Sequence, residues 1–324
     1  MRDRRQFLKV AGATSCVGLT AGCLDDVLGD GGDELHVATS ITGIDDFNEQ
    51  FEEDTGIEYN QLRTDAENVA TRVIQEHTAD NLSYDYRRGS DPSTTLAMYE
   101  HGAFDEVPES IQERWPNRVM FDGKLIADWM GLKLSLLYNE DEIDDPPSTF
   151  EELITEFKGE YAVDARDEFI WIALRDKYGD DQAKELVREL GEGARWSDSH
   201  YAPVQDIASG EYPFALTYNH FKYYDEFTDT VAESELSDFP IIVRQISSVI
   251  LSDADNYTSA ERYMEYSQEN IQDFLNNTGR SSAYFDPDEV VGNDDFFVWS
   301  TETVADLDLE EEQATWQELS GLRN

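Results

Sequence analysis

Leu35-His36-Val37-Ala38-Thr39-Ser40-Ile41-Thr42-Gly43-Ile44 is an apolar run of strand length that passes into a polar turn and then a helix. In that helix Ile44, Phe47 and Phe51 recur on one face until Gly56 stops it. The same grammar returns downstream. A helix over about Glu67 to His77 carries Val69, Val73 and Ile74, and Tyr84-Asp85-Tyr86 reads as a strand. Gly89-Ser90-Asp91-Pro92-Ser93 is a turn suited to cap a helix from Thr94 to His101. Strand, polar turn and helix in repetition predict an open α/β sheet.

Leu132, Leu134 and Leu136 alternate with Lys133 and Ser135, which predicts a strand ending at Tyr138-Asn139. Pro146-Pro147-Ser148-Thr149 then stops the chain and caps a helix over Phe150 to Phe157. A short strand, Tyr161-Ala162-Val163, ends at Asp164. Helices are expected at Trp171–Tyr178, Asp181–Leu190 and Val204–Ala208, and a strand at Phe214–Tyr218. Phe239 to Leu251 is apolar but broken by Arg244-Gln245; it fits two strands, or one strand crossing between lobes. A long helix, Ser259 to Leu275, and a last one around Trp316 complete the chain.

The formal charge is −47, from 24 basic and 71 acidic residues. With 40% hydrophobic and 12% aromatic residues, the chain still has enough apolar side chains for a core. Disordered acidic chains lack that complement. The balance resembles secreted proteins of extreme halophiles, whose acidic surfaces are screened by molar salt at a Debye length of about 3 Å. No basic stripe is present to meet phosphates, so nucleic acid is not an expected partner.

Residues 1–22 read as a leader: Arg4-Arg5-Gln6-Phe7-Leu8-Lys9, an uncharged stretch from Val10 to Gly22, then Thr20-Ala21-Gly22-Cys23. The uncharged stretch is shorter than the ~20 residues that span a bilayer. The twin arginines resemble a twin-arginine export signal. The Thr-Ala-Gly-Cys run resembles a lipobox, which implies lipidation of Cys23 and anchoring at the extracellular face of the cell membrane. Losing residues 1–22 removes four basic residues and one acid and takes the charge from −47 to −50. Both cysteines, Cys16 and Cys23, belong to this region, so no disulfide or cysteine metal site is expected in the mature chain. Residues 23–33 read as a lipidated, flexible tether. Sequons begin at Asn81, Asn256 and Asn276.

In open α/β sheets, ligands bind beyond the carboxyl ends of strands. Thr39, Ser40 and Thr42 lie at one such junction, Ser90, Asp91 and Ser93 at a second, Ser197 and Ser199 at a third, and Tyr218, Asn219 and His220 at a fourth. Hydroxyls there join the free N–H groups of helix starts without adding charge, which suits a small polar or anionic solute. Asp164 and Arg166 follow another strand end. Taken singly, each junction is also an ordinary helix cap.

The chain resembles the extracellular solute-binding proteins of ABC importers (family 1), nearest the ferric-iron-binding branch. The resemblance spans nearly all of residues 34–290 and rests on four segments in order. Phe51-Glu52-Glu53-Asp54-Thr55-Gly56-Ile57 resembles the end of the family's first helix, and Leu136-Leu137-Tyr138-Asn139 its crossover strand. Thr149-Phe150-Glu151-Glu152-Leu153 through Phe157-Lys158-Gly159 resembles its W-x-x-L…K-G segment, with Phe150 for tryptophan. Ala208-Ser209-Gly210-Glu211 through Tyr218-Asn219-His220 resembles its R-G-E…N-H segment. The resemblance implies a two-lobed α/β fold of the type II periplasmic-binding-protein kind, with a hinge and a cleft that closes on a solute and presents it to a membrane permease. Lobe one would comprise residues 34–127 and 241–290, lobe two 128–240, with 291–324 packing on both. Trp129, near the hinge, would report closure.

Iron binders of that family use an early histidine, a glutamate in the second loop and two adjacent tyrosines after the N-N or N-H pair. Here the first loop has Ser40, the second has Ser90 or Asp91, and Tyr223-Tyr224 follow Phe221-Lys222, displaced by two. Two helical positions turn a side chain by about 200°. Ferric iron held by Tyr223 and Tyr224 therefore stands beside a second possibility, an anion met by Lys222, Arg166 and Arg88. No cofactor is called for. No G-x-S-x-G or H-E-x-x-H occurs, so enzyme function is not expected. A structural or adhesive surface lipoprotein, and less so an exported hydrolase, are the alternatives.

Overall fold

The computed structural model describes residues 34–277 and 284–322. Cys23, the leader and the tether lie outside the described residues, as do the side chains of residues 128–131, including Trp129. Among the described residues, no helix is long and apolar enough to cross a membrane.

Strand β1 (Glu34–Thr39) leads into α1 (Asp45–Thr55), which ends at Gly56 with φ 76°. Then come β2 (Glu58–Arg63), α2 (Ala66–Thr78), β3 (Tyr86–Gly89), α3 (Pro92–Glu100) and α4 (Glu109–Arg114). Short β4 (Val119–Phe121) precedes the long β5 (Leu125–Asn139). The middle of the chain forms α5 (Phe150–Glu156), β6 (Tyr161–Asp164), α6 (Phe169–Tyr178), α7 (Asp180–Gly193), β7 (Ala194–Ser197), α8 (Ala202–Ala208), β8 (Phe214–Tyr218) and β9 (Val231–Ser234). It closes with β10 (Ile241–Ile250), α9 (Tyr257–Asn277), β11 (Tyr284–Phe285), α10 (Pro287–Val290), β12 (Phe296–Trp299), α11 (Thr301–Ala305) and α12 (Leu309–Leu319).

The strand order is β2-β1-β3-β10-β5-β8-β6-β7. β1, β2 and β3 are parallel, as are β6, β7 and β8, and each parallel set meets an antiparallel strand at the centre. β5 belongs to both halves. Its residues up to Lys133 pair with β10, and Leu134 to Tyr138 pair with β8. The run Phe239–Leu251 yields one strand, β10, whose partners β3, β5 and β12 all lie in the first half, so the strand shared between halves is β5.

Each half buries its helices against its sheet. Phe47 and Phe51 of α1 sit edge-on or tilted against Tyr263 and Tyr266 of α9, and all four are nearly inaccessible to water. Burying a side chain of that size contributes roughly 1.5–3 kcal/mol. α12 seals the second half: Trp316 Nε1 donates to Ala165 O at 2.8 Å, and Glu312 accepts from Trp171 Nε1 and Arg175 Nη1. Gly191 of α7 permits this approach, because a Cβ there would lie 2.4 Å from Ser320 O.

Strand β3 starts at Tyr86, two residues later than its sequence suggests. The Asp85 carboxylate is committed to His36 N, Asn256 N and Asn256 Nδ2, which ties down the approach to the strand. The same bond leaves the Asn256 sequon buried, whereas Asn81 is exposed after α2.

Candidate functional site

Where the two halves face each other, a cavity of about 760 Å³ opens at the carboxyl ends of the strands. Ser40, Asp65, Glu67, Ser90, Asp91, Ser93 and Thr94 line one wall. Arg166, Asp167, Glu168, Phe169 and His200 line the other, with Arg244, Trp299, Leu309 and Gln313 closing the rim. Other hollows exist, one of 540 Å³ beside Ser197 and an open one of 1030 Å³ beside Gly292. The facing loops and the buried polar groups make the first the candidate site.

Local sequence rules build the first wall. Asp91 caps α3 by accepting Thr94 N at 2.8 Å, and Pro92 opens the helix. Asp65 caps α2 in the same way, through Asn68 N. The second wall follows from the end of β6. Asp164 accepts Arg166 N and Nε, both at 2.9 Å, and Arg166 Nη2 at 2.6 Å, turning the chain so that Asp167 and Glu168 lead into α6. Ser197 and Ser199 shape the loop that carries His200: Ser197 Oγ donates to Ser199 O, and Ser199 Oγ accepts Tyr201 N.

Arg244 joins the walls. Its Nε donates to Ser90 O at 2.6 Å, Nη2 to Asp91 Oδ2 at 2.7 Å and Nη1 to Tyr218 Oη at 3.0 Å. The register explains the reach: Arg244 stands opposite Leu132 and Tyr218 opposite Leu134, on either side of the point where β5 changes partners. Burial opposes charge on Arg244, but Tyr218 and Asp91 more than offset it and hold the guanidinium above its ordinary pKa. Burial also pushes Asp91 up, yet Arg244 and the Thr94 N–H outweigh it and keep the carboxyl ionised below its usual range.

Behind Arg166 lies a tighter group. His200 Nε2 is 3.6 Å from Asp164 Oδ2 and 3.5 Å from Asp167 Oδ1. Asp167 is 1% exposed, and burial, with Asp164 beside it, raises its carboxyl well above the ordinary range. Burial lowers His200 to about 4 against the pull of Asp164, so the imidazole is neutral at pH 7. Burial raises Glu168 as well. Among the described residues, Asp167 Oδ2 and His200 Nδ1 have no hydrogen-bond partner. Carboxyl groups outnumber guanidinium groups on the lining.

Of the residues singled out from sequence, Ser40, Ser90, Asp91, Ser93 and Arg166 line this cavity. Asp164 and Tyr218 stand directly behind it. Thr39 is buried, its Oγ1 accepting Ile41 N, and Thr42 is exposed off the lining. Ser197 and Ser199 support the His200 loop. Asn219 is buried, and His220 stacks on Phe221 at 4.1 Å. Lys222 donates to Glu233 at 2.5 Å with its ammonium 4.9 Å from the Tyr223 ring. Tyr224 packs on Phe221 and Tyr201. Lys222, Tyr223 and Tyr224 are not on the cavity lining, and Arg88 is buried against Tyr263 and Ser267.

Sequence reasoning passed over His200, Asp167, Glu168, Arg244 and Trp299. Arg244 had a signal, a lone guanidinium inside an apolar run. Asp167 stands three residues after Asp164, and His200 directly follows the Ser197–Ser199 junction. Trp299 meets Phe169 across the rim with ring centroids 6.0 Å apart.

No protein-family model matches this chain, and no curated protein matches it in sequence. Solved structures do match. The substrate-binding protein of an ABC transporter from Agrobacterium tumefaciens superposes with a TM-score of 0.72 at 15% identity, covering 89% of this chain and 94% of that one. Iron-bound HitA from Pseudomonas aeruginosa gives 0.69 at 15%, covering 88% and 99%. AfuA from Actinobacillus pleuropneumoniae, with fructose-6-phosphate bound, gives 0.66 at 14%, covering 89% and 99%. The fold is therefore the two-lobed, type II periplasmic-binding-protein architecture, with a hinge and an interlobe cleft.

Proposed function

We propose that this protein is the extracytoplasmic solute-binding component of an ABC importer. It captures a small polar or anionic solute, iron or an iron complex among the candidates, and delivers it to a membrane permease. In this reading residues 1–22 direct twin-arginine export and the lipid on Cys23 holds the chain at the extracellular face of the cell membrane. Lobe one is residues 34–127 and 241–290, lobe two is 128–240, and 291–324 packs on both. The observation that carries the reading is the cleft itself: strand-end loops of both halves converge on one cavity, and Arg244 bonds to both walls. A solute touching both walls is held more tightly by the closed form and shifts the population toward it. The role is binding and delivery, with no chemical step assigned.

The test is thermal unfolding in molar KCl against metal ions, oxyanions, organic acids and sugar phosphates, with scattering to follow closure. A ligand of the native state adds about 2.7 kcal/mol at a hundred times its dissociation constant. A shifted midpoint with a smaller radius of gyration supports the reading. A midpoint unmoved by every solute overturns it.

A further inference from the structure

We propose that Asp164, Asp167 and His200 form a coordination site for a divalent first-row transition-metal ion at the back of the cleft. The inference rests on the solute-binding reading and names the class of its solute. One ligand atom from each residue lies within 4.8 Å of the other two. His200 Nε2 stands 3.5 and 3.6 Å from the two carboxylate oxygens. That is long for a hydrogen bond. It is close to the ~3.0–3.5 Å expected between nitrogen and oxygen ligands that each lie ~2.0–2.2 Å from one ion.

The second observation is independent of the cluster's shape. Asp167 is 1% exposed and lines the cavity, yet its Oδ2 has no hydrogen-bond partner among the described residues. A buried carboxyl in that condition costs several kcal/mol unless it is neutralised or receives a cation. The facing imidazole nitrogen cannot give both carboxylates a short bond. A metal ion between them balances the Asp167 carboxyl and takes the His200 Nε2 lone pair, beside an Asp164 already held by Arg166.

The surroundings favour a cation. Asp164, Asp167, Asp91 and Glu168 bring four carboxyl groups to this end of the cleft, against the guanidinium groups of Arg166, Arg244 and the buried Arg87. Arg166 fixes the Asp164 carboxylate: Oδ1 takes both Arg166 N and Nε, whereas Oδ2, the oxygen facing His200, takes only Nη2 and keeps a lone pair for an ion. Fixing a ligand from behind is what outer-shell partners do at metal sites. Two carboxylates and an imidazole suit Mn, Fe, Co and Zn ions better than soft thiophilic ones.

The experiment uses Mn2+ with the EDTA-treated protein in molar KCl, which suppresses diffuse binding to the acidic surface. Electron paramagnetic resonance counts bound ions, and spin-echo modulation detects a coordinated imidazole nitrogen. The site predicts one tight ion per chain with nitrogen coupling. His200→Gln should remove the coupling, and Asp167→Asn should weaken binding at least about tenfold, as loss of a supporting partner alone does. Substituting 15N-histidine in the unaltered protein changes the modulation pattern, so the test does not depend on either variant folding. Bound Mn2+ without nitrogen coupling, or binding that both folded variants retain, overturns the site. Absence of Mn2+ binding alongside a midpoint shift with an oxyanion or sugar phosphate overturns the metal site and leaves the solute-binding reading intact. No shift with any solute overturns both.

Discussion

At the Asn219–Tyr224 turn, Lys222 is bonded to Glu233, Glu233 also takes Lys133 and Ser135, and Tyr224 is packed on Phe221 and Tyr201. In the cleft, Asp167 and His200 present buried polar atoms that nothing in the described chain satisfies. The turn holds the residue types that a tyrosine-based metal site needs, but its charge pairs are closed among themselves. Arg244 shows the intermediate case, fully bonded yet to both walls at once. The contrast teaches that residue type nominates a site, whereas unmet hydrogen-bonding and charge demand at a cavity identifies one.

The largest expected effect tests Arg244. Replacing it with Met leaves Asp91 with the Thr94 N–H and the more weakly felt, buried Arg87 of β3, and should lower the unfolding free energy by about 3 kcal/mol, the low end for breaking a buried pair. Urea unfolding measures this, and a loss below about 1 kcal/mol would show that the tie between walls is not a structural one. Glu233→Gln comes next. Lys222 and Lys133 would then share a half-buried site without their carboxylate, at a cost of about 1–3 kcal/mol. Burial pushes Glu233 up, but Lys222, Ser135 and Lys133 together hold it below its ordinary value. Its contribution is therefore present above the unfolded carboxylate range of about 4.3 and is lost as pH falls through the lower folded value. The Gln variant should lack that acid-side loss, and its solute affinity should match the parent's. If cleft affinity falls with Glu233, the two regions are coupled and the contrast fails.

Tyr224→Phe carries the smallest effect, within about 0.5 kcal/mol on unfolding and none on Mn2+ binding. A tenfold loss of Mn2+ affinity would return the tyrosine pair to the site. Trp299 offers a sharper view of the walls than Trp129, since it already touches Phe169 across the rim. Its fluorescence should change on ligand binding, and Trp299→Phe should abolish that change.

Much of the fold was legible because its determinants are local. Gly56, Asp91-Pro92 and Thr149 announce helix ends and starts within a few residues of where they act. β2 and β7 were not, because they are edge strands with one or both faces wet: Glu58–Arg63 and Ala194–Ser197 contain no fully buried residue and so no alternation. In the cleft Asp91 was legible as a cap, and the serines as polar residues at strand ends. Arg244 was not, because its role depends on which strands flank β5, and His200 was not, because its partners lie on the far side of a helix pair in sequence. Lys222 read as a free cation since nothing local reveals that β9 brings Glu233 to it.

The change of partners along β5 has a mechanical consequence. Arg244 and Tyr218 flank that point, so in the closure proposed above they would sit near the axis of rotation. Displacement in a rotation grows with the lever arm. Opening should therefore separate Glu67 from Arg166 at the mouth by far more than it lengthens the Arg244–Tyr218 bond. Under that proposal the molecule would work like a pair of pliers with a bonded pivot: the jaws travel, and the rivet stays in place through the stroke.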